Sequence, residues 1–180
     1  MGVNGWLSVT QPNYASNSAY YYRAGSCSLT LPGSDNNGCY LPDTLWAPLW
    51  QDLYIYKGTP QGLYYQITGS TVGSRNVSFE WYTSQFSAPT QYYHFIATFQ
   101  EAVPGQAVFD YYQVSNNGAA YQVQTSNGQT FGSQVGVQKY STGQSAVYSN
   151  NQPNVLPGLE LVFTPPSTFT VGAANCVKLS

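Results

Sequence analysis

Apolar and polar residues alternate along many short segments of this chain, and turn-forming residues separate those segments. Alternation with a period of two is typical of strands, and no segment of helical length keeps an i, i+3, i+4, i+7 apolar pattern. We therefore predict strands at Trp6 to Val9, Gly62 to Thr68, Asn76 to Tyr82, Tyr92 to Phe99, Ala107 to Val114, Ala120 to Thr125, Gln134 to Lys139 and Leu159 to Thr164. Short strands joined by Gly, Asn and Pro turns predict an all-β fold, an antiparallel β-sandwich with little helix.

The alternation also predicts which side chains point inward. In YYHFIATF, the odd-numbered residues from Tyr93 to Phe99 share one face, and the even-numbered residues from Tyr92 to Thr98 share the other. In NVSFEW, the apolar face carries Val77, Phe79 and Trp81. Large aromatic side chains bury the most surface, so they are the expected core. The core residues that we predict from these strands are Phe79, Trp81, Phe95 and Phe99.

Charge is sparse, since only 7% of the 180 residues are charged and the formal net charge is -2. Such a chain has no basic surface for a polyanion, so we expect no nucleic-acid partner. It also lacks a run of about 18 apolar residues, so we expect no membrane insertion. The length fits a single domain over residues 1–180, and a domain of this size buries roughly 70% of the surface that the unfolded chain exposes.

Cysteines and a glycosylation triplet favour a place outside the cell. Cys27 and Cys39 flank a segment rich in turn formers, and a disulfide between them would close a short loop and contribute roughly 3 kcal/mol. Reduced thiols, or a pairing with Cys176, are the alternatives. Asn76 begins an acceptor triplet for N-glycosylation. Together with the uncharged polar composition, these features predict a secreted or surface-attached protein.

Several segments, taken in order, resemble the nidogen-like β-sandwich module of secreted and surface-attached proteins. These segments are NGWLSV, LWAPLWQDL, GLYYQITG, RNVSFEW, YHFIATFQ with VFDYYQV, SQVGVQ and LPGLELVFTP. The resemblance covers residues 4–9 and about 41–166, and it implies the same sandwich and a non-enzymatic role in adhesion. The segment from about residue 10 to residue 40, which carries a Tyr-Tyr-Tyr run and two cysteines, departs from the pattern and is interpreted as an insertion.

The resemblance also bears on LWAPLWQDL, residues 45–53. In nidogen-like modules the similar segment brings an apolar turn and a tryptophan under one sheet, so Trp46 and Trp50 are expected to pack in or beside the core. The alternative is that both rings line a binding site. Asp52 is expected to cap a turn, because the clustered oxygen ligands that calcium needs are missing around it.

The chain offers little material for catalysis. His94 is the single histidine and lies inside a predicted strand, and no Ser or Cys has a G-x-S-x-G setting. One histidine and three scattered cysteines lack the spacing of a zinc site. Glycosidases use paired carboxylates, and the candidates here are Glu80, Glu101, Asp110 and Glu160, which the sequence alone does not bring together. We therefore predict a protein that is not an enzyme and that needs neither a metal ion nor a cofactor.

Binding is the function that the composition favours. Aromatic residues make up 16% of the chain, and alternation turns some of its 17 tyrosines outward. Outward rings beside amide and carboxylate groups suit a glycan or an extracellular protein. The tyrosines expected to contact such a ligand are Tyr20, Tyr21, Tyr22, Tyr92, Tyr111 and Tyr112. The alternative for each ring is packing against a cross-strand neighbour.

Self-assembly into a surface or coat layer is the alternative function. Natural sheet edges are usually protected by charge, especially by lysine, and this chain has three lysines. Poorly protected edges therefore predict self-association of the domain.

Overall fold

The fold comes from a computed structural model, which describes residues 1–9, 31–32, 42–120, 124–126, 129–164 and 168–173. Apart from two short 3-10 segments, Ser115–Gly118 and Tyr140–Thr142, the regular elements in these ranges are strands. In chain order they are β1 (Thr44–Trp50), β2 (Leu53–Tyr54), β3 (Gly62–Thr68), β4 (Asn76–Gln85), β5 (Ala88–Gln100), β6 (Ala107–Val114), β7 (Gln124–Ser126), β8 (Gln129–Phe131), β9 (Gln134–Lys139), β10 (Gln144–Asn150), β11 (Leu159–Thr164) and β12 (Thr168–Ala173). The pairings between them are antiparallel, and the fold is all-β as predicted.

The large sheet has the strand order β12-β11-β6-β5-β4-β2, and β3 pairs with β4 on the same side as β2. Along β5 the side chains divide as predicted: Tyr93, Phe95 and Ala97 are fully buried, whereas the even-numbered residues from Tyr92 to Thr98 keep contact with solvent. The large sheet thus has an inner face, which the odd-numbered β5 residues share, and an outer face, which the even-numbered ones share.

The small sheet, in the order β1-β9-β10, packs against the inner face of the large one. Leu49 of β1 and Val135 of β9 belong to the same buried cluster as Trp81, Phe95 and other residues of the large sheet. Trp81 stacks on Phe95, with ring centroids 5.1 Å apart and an interplanar angle of 15°. Burial of such rings between two sheets is the main source of stability in a sandwich.

The side of the small sheet that points away from this core is also covered. A second buried cluster joins Leu45, Ala47 and Trp50 of β1 to Leu31, and Trp6 packs against it. The outer face of the large sheet has no comparable apolar cluster among the described residues. The outer face of the large sheet is therefore the more open of the two outward-facing sheet surfaces.

Several predicted strands have the observed bounds. Gly62 to Thr68, Ala107 to Val114, Gln134 to Lys139 and Leu159 to Thr164 are confirmed as β3, β6, β9 and β11. The strand predicted from Trp6 to Val9 is reduced to two isolated bridges, Trp6 with Gly2 and Leu7 with Trp46. Of the segment from Ala120 to Thr125, the structure describes only part, and there β7 begins at Gln124.

The apolar turn expected at residues 45–53 is wrong, because most of this segment is β1. β1 pairs with β9, and the register of this pairing shifts between Ala47 and Trp50, a stretch that contains Pro48. Such an irregularity accommodates a proline, which has no N–H to donate to the sheet. Trp50 is 2% exposed, and Trp46 is partly buried with its ring 5.0 Å from that of Phe99. Both tryptophans thus pack in the interior and do not form an open platform.

Within the described ranges, no helix has the length and apolar character needed to cross a bilayer.

Candidate functional site

The candidate site lies on the outer face of the large sheet. The strand register places Glu80 of β4, Ile96 of β5, Asp110 of β6 and Glu160 of β11 side by side in one row. Neighbouring strands are about 4.8 Å apart, so this row extends across roughly 15 Å of the sheet. Three of its four members are carboxylates, which accept hydrogen bonds from any donor that lies on this face.

An aromatic row runs beside the carboxylates. His94 lies between two tyrosines: its ring centroid is 5.4 Å from that of Tyr82 and 5.0 Å from that of Tyr112. The imidazole N–H at Nε2 donates to Oε1 of Glu80 at 2.7 Å, which fixes the orientation of the ring. His94 thus joins three strands of the outer face, β4, β5 and β6, through one hydrogen bond and two ring contacts. Rings held in this way lose little freedom when a ligand binds.

Tyr112 lies at a β-bulge beside this row. His94 pairs with Gln113 and Phe95 pairs with Tyr111, so Tyr112 is the extra residue of β6. A bulge breaks the simple alternation of a strand, and here Tyr111 is buried whereas Tyr112 and Gln113 are both exposed. Tyr112 is 56% exposed, whereas Tyr82 and His94 are partly buried. Tyr112 is therefore the most open ring of the aromatic row.

The environment of the carboxylates is not uniform. Burial raises the pKa of Asp110 above its ordinary value, and the nearby charge of Glu160 raises it further. Burial also raises the pKa of Tyr112, with smaller contributions from Asp110 and Glu80. In both groups the ionised form is disfavoured, first because the surface is partly dehydrated and then because other negative charges lie nearby. The outer face is thus electronegative.

Replacing Asp110 with Asn is expected to raise the midpoint of thermal unfolding at pH 7. The raised pKa means that the ionised carboxylate is less favourable in the fold than in the unfolded chain. This penalty is absent below the unfolded pKa of about 3.9 and grows as the pH rises through the folded pKa. Calorimetry should therefore show the gain at pH 7 and its disappearance near pH 3.

Glu101→Gln is the control of opposite sign. Arg75 donates to Glu101 through Nε at 2.9 Å and Nη2 at 2.6 Å, and these bonds lower the pKa of Glu101 to about 2. Stability from this group is present above its unfolded pKa and is lost as the pH falls toward 2. Glu101→Gln should therefore lower the midpoint at pH 7. An equal change for Asp110→Asn at both pH values would contradict the assignment.

Further rings lie around the central row. Tyr92, 37% exposed, precedes His94 by two positions on the same face. Tyr64 of β3 pairs with Glu80 and is 47% exposed, and its hydroxyl donates to the carbonyl of Pro60 at 2.8 Å. Beyond these, the rings of Tyr54, Tyr56 and Phe86 form edge-to-face pairs at 4.8 Å and 5.6 Å. Exposed rings thus lie on this face both in the central row and around it.

The predicted ligand-contacting tyrosines have three different outcomes. Tyr92 and Tyr112 lie on the outer face, within reach of the same ligand. The expectation for Tyr111 is corrected: this ring is 1% exposed, and its hydroxyl donates to the carbonyl of Pro48 at 2.5 Å. It points into the core on the same side of β6 as Ala107 and Phe109. Tyr20, Tyr21 and Tyr22 lie outside the described residues, as do Cys27, Cys39 and Cys176.

The other predicted residues lie as follows. Trp81 and Phe95 are 0% exposed, and Phe79 and Phe99 are partly buried against the same cluster. Asn76, the glycosylation candidate, begins β4 and is half-buried between Thr68 of β3 and Gln100 of β5.

Sequence reasoning missed two members of the site. Tyr82 was placed at the end of a predicted strand without a role, and Glu80 was considered only as an acid. The available signal was the alternation in NVSFEWY, which puts Glu80 and Tyr82 on the face opposite Trp81. Their partner His94 required the register of β4 with β5, which pairs Tyr82 with His94.

A cleft at one end of the sandwich is a weaker candidate. It has a volume of about 120 Å³ and is lined by Thr44, Trp46, Gly105, Val137, Gln138, Lys139, Gln144, Phe163 and Thr164. Binding pockets for small molecules usually enclose roughly 300–1,000 Å³, so this cleft has room for a few water molecules. Nor do the described residues contain a group of three or more His, Cys, Asp and Glu side chains arranged to hold a metal ion.

No family model, curated protein or solved structure matches this chain. The resemblance to nidogen-like modules therefore stays a prediction, and what the structure adds to it is an all-β fold of antiparallel sheets with an open, electronegative and aromatic outer face.

Proposed function

We propose that the domain is a non-enzymatic binding module of a secreted or cell-surface adhesion protein, and that its outer face binds a neutral glycan. The observation that carries the proposal is the aromatic row of Tyr82, His94 and Tyr112 beside the carboxylates of Glu80 and Asp110. Extracellular location is supported by the sparse charge and by the glycosylation triplet at Asn76.

The two rows match the two kinds of surface on a sugar ring. A pyranose has an apolar side of C–H bonds, which packs on an aromatic ring, and a rim of hydroxyl groups, which donate to carboxylates. Tyr112 provides the exposed ring, and Asp110 and Glu160 provide acceptors in the adjacent row. The aromatic row lies across three strands, so the bound chain would run across the strands, with successive sugars on successive rings.

Charge selects between classes of glycan. Glu80, Asp110 and Glu160 make the outer face negative. Of the described cations, Arg75 and Lys139 form ion pairs elsewhere, with Glu101 and Asp43, and Lys57 lies in the turn that follows β2. Like charges repel strongly on a partly dehydrated surface, so sialylated, sulfated and uronic glycans are disfavoured. Neutral glycans are therefore the ligand class that this face supports.

Hydrolysis of the glycan is less well supported than binding. Asp110 and Glu160 lie on adjacent strands at a spacing of about 5 Å, which is close to the carboxyl separation in retaining glycosidases. A glycosidase, however, has to hold the sugar so that its two carboxyls flank the reacting bond. Tyr112 is 56% exposed, and the row lies on an open sheet surface. Release of reducing sugar that Asp110→Asn abolishes would contradict the non-enzymatic part of the proposal.

A glycan array tests the proposal directly. The labelled domain is expected to bind neutral oligosaccharides in a dose-dependent manner and to give no signal on their sialylated or sulfated counterparts. Binding that is restricted to acidic glycans would contradict the charge argument. An array without any signal would contradict the choice of a glycan as ligand.

A further inference from the structure

Strand β3 forms an edge of the large sheet. Its residues pair with β4 over the full length from Gly62 with Tyr82 to Thr68 with Asn76. Among the described residues, no strand pairs with the other side of β3, and no backbone hydrogen bond from outside the sheet reaches it. Alternate N–H and C=O groups of β3 therefore point away from β4 toward solvent, which makes this edge a template for another strand.

This edge has none of the usual protection against pairing. The sequence of β3, GLYYQIT, contains no charged residue and no proline. Tyr64 is 47% exposed, Tyr65 is 73% exposed and Ile67 is 62% exposed. Natural edge strands usually carry lysine, proline or a bulge that prevents association. An uncharged, seven-residue edge with two largely exposed apolar side chains is therefore a candidate interface.

The sequence of β3 is compatible with antiparallel pairing to a second copy of the same strand. We propose that β3 pairs antiparallel with β3 of a second copy of this chain, about a two-fold axis at Tyr65. In this register Tyr65 faces Tyr65, Leu63 faces Ile67, and Tyr64 faces Gln66. The first two pairs lie on the inner side of the sheet, because Leu63 and Tyr65 pair with the inward residues Trp81 and Phe79 of β4.

Each of these pairs is favourable. Aromatic pairs and aliphatic pairs directly opposite each other stabilise antiparallel sheets, and no like charges meet in this register. The two-fold axis closes the assembly at two copies, because each β3 edge is used by the other. Seven paired residues form a small interface, so the association depends on protein concentration.

The dimer would also join the two outer faces. Tyr64 pairs with Glu80 and therefore points to the side of the candidate glycan site. The paired β3 strands would continue one sheet across both copies, with Tyr64 and Gln66 of each copy at the junction. Two binding faces on one surface would increase the avidity for a long or repeated glycan without a new contact. The pairing itself rests on β3 alone and does not require that the outer face binds glycan.

Sedimentation velocity over a concentration range of about 1 µM to 1 mM tests the pairing. The wild-type chain is expected to shift from monomer to dimer as the concentration rises. Tyr65→Lys and Tyr65→Glu place like charges opposite each other at the axis, so each variant alone should dimerise at least tenfold more weakly. An equimolar mixture of the two variants should recover the dimer, because lysine then faces glutamate.

Val72→Lys is the matched control, since Val72 is 79% exposed but lies in the turn after β3. It is expected to dimerise as the wild type does, and Ile67→Lys is expected to fail as Tyr65→Lys does. Circular dichroism checks that each variant keeps the wild-type unfolding midpoint. A wild-type chain that stays monomeric, a mixture that does not recover the dimer, or an equal loss in Val72→Lys would each overturn the proposal.

Discussion

Replacing Trp81 with alanine is expected to lower the free energy of unfolding by about 3–5 kcal/mol. Trp81 is 0% exposed, its ring stacks on Phe95, and its indole N–H donates to the carbonyl of Gly2 at 2.9 Å. Alanine leaves a cavity between the two sheets and releases the amino-terminal segment from β4. Because domains are usually stable by about 5–15 kcal/mol, this single change removes a large part of the total. Urea unfolding followed by fluorescence measures it.

Two further variants separate the cavity from the hydrogen bond. Trp81→Phe keeps an aromatic ring but removes the donor to Gly2, so its loss should be clearly smaller than that of Trp81→Ala. Tyr140→Ala changes an aromatic ring that is 46% exposed and should stay within about 0.5 kcal/mol of the wild type. A loss below about 1 kcal/mol for Trp81→Ala would contradict its place at the centre of the core.

The second large effect is expected for Gly5→Ala, at about 3–5 kcal/mol. Gly5 has φ of +73°, and an added Cβ would lie 1.9 Å from the carbonyl oxygen of Leu49, which is part of β1. The backbone must move to relieve this overlap, because the atom that the new Cβ meets is a main-chain carbonyl and not the end of a flexible side chain. The hydrogen bond from Leu49 N–H to the carbonyl of Gly5, at 3.4 Å, would be lost with it.

Gly58→Ala is the control for backbone conformation. Gly58 has φ of +80°, and an added Cβ would meet no atom within 4 Å. This variant should therefore show only the cost of a left-handed alanine, about 1–2 kcal/mol. Parallel urea unfolding of both variants measures the difference. Equal losses would mean that Gly5 is needed for its φ alone and that the contact with Leu49 is not tight.

The strands that the sequence predicted well are those with one apolar face and one polar face. β5 and β6 alternate clearly, because one side of the large sheet is buried and the other is open. β1 was not predicted, because both sides of the small sheet are covered. Its sequence, TLWAPLW, is therefore mostly apolar, contains a proline and shows no alternation. β10, QSAVYSN, was not predicted because its apolar residues, Ala146, Val147 and Tyr148, are consecutive and show no alternation.

The candidate site was partly predictable. Tyr92 and Tyr112 were expected at the surface from alternation, and the structure places both on the outer face. Tyr111 and Tyr112 are consecutive, so alternation turns only one of them outward, and Tyr111 is the inward one because it shares the face of Ala107 and Phe109. The contact of His94 with Glu80 depends on the pairing of two strands, which a single sequence does not specify.

The most direct test of the outer face as the binding site is titration calorimetry with the best neutral glycan from the array. Tyr112→Ala removes the most exposed ring of the aromatic row and is expected to weaken binding at least about tenfold, which is about 1.4 kcal/mol. Tyr140→Ala is the control, since it removes an exposed ring from the 3-10 segment that follows β9 of the small sheet. It should leave the affinity unchanged. Unchanged affinity in Tyr112→Ala, or an equal loss in Tyr140→Ala, would contradict the assignment of glycan binding to the outer face.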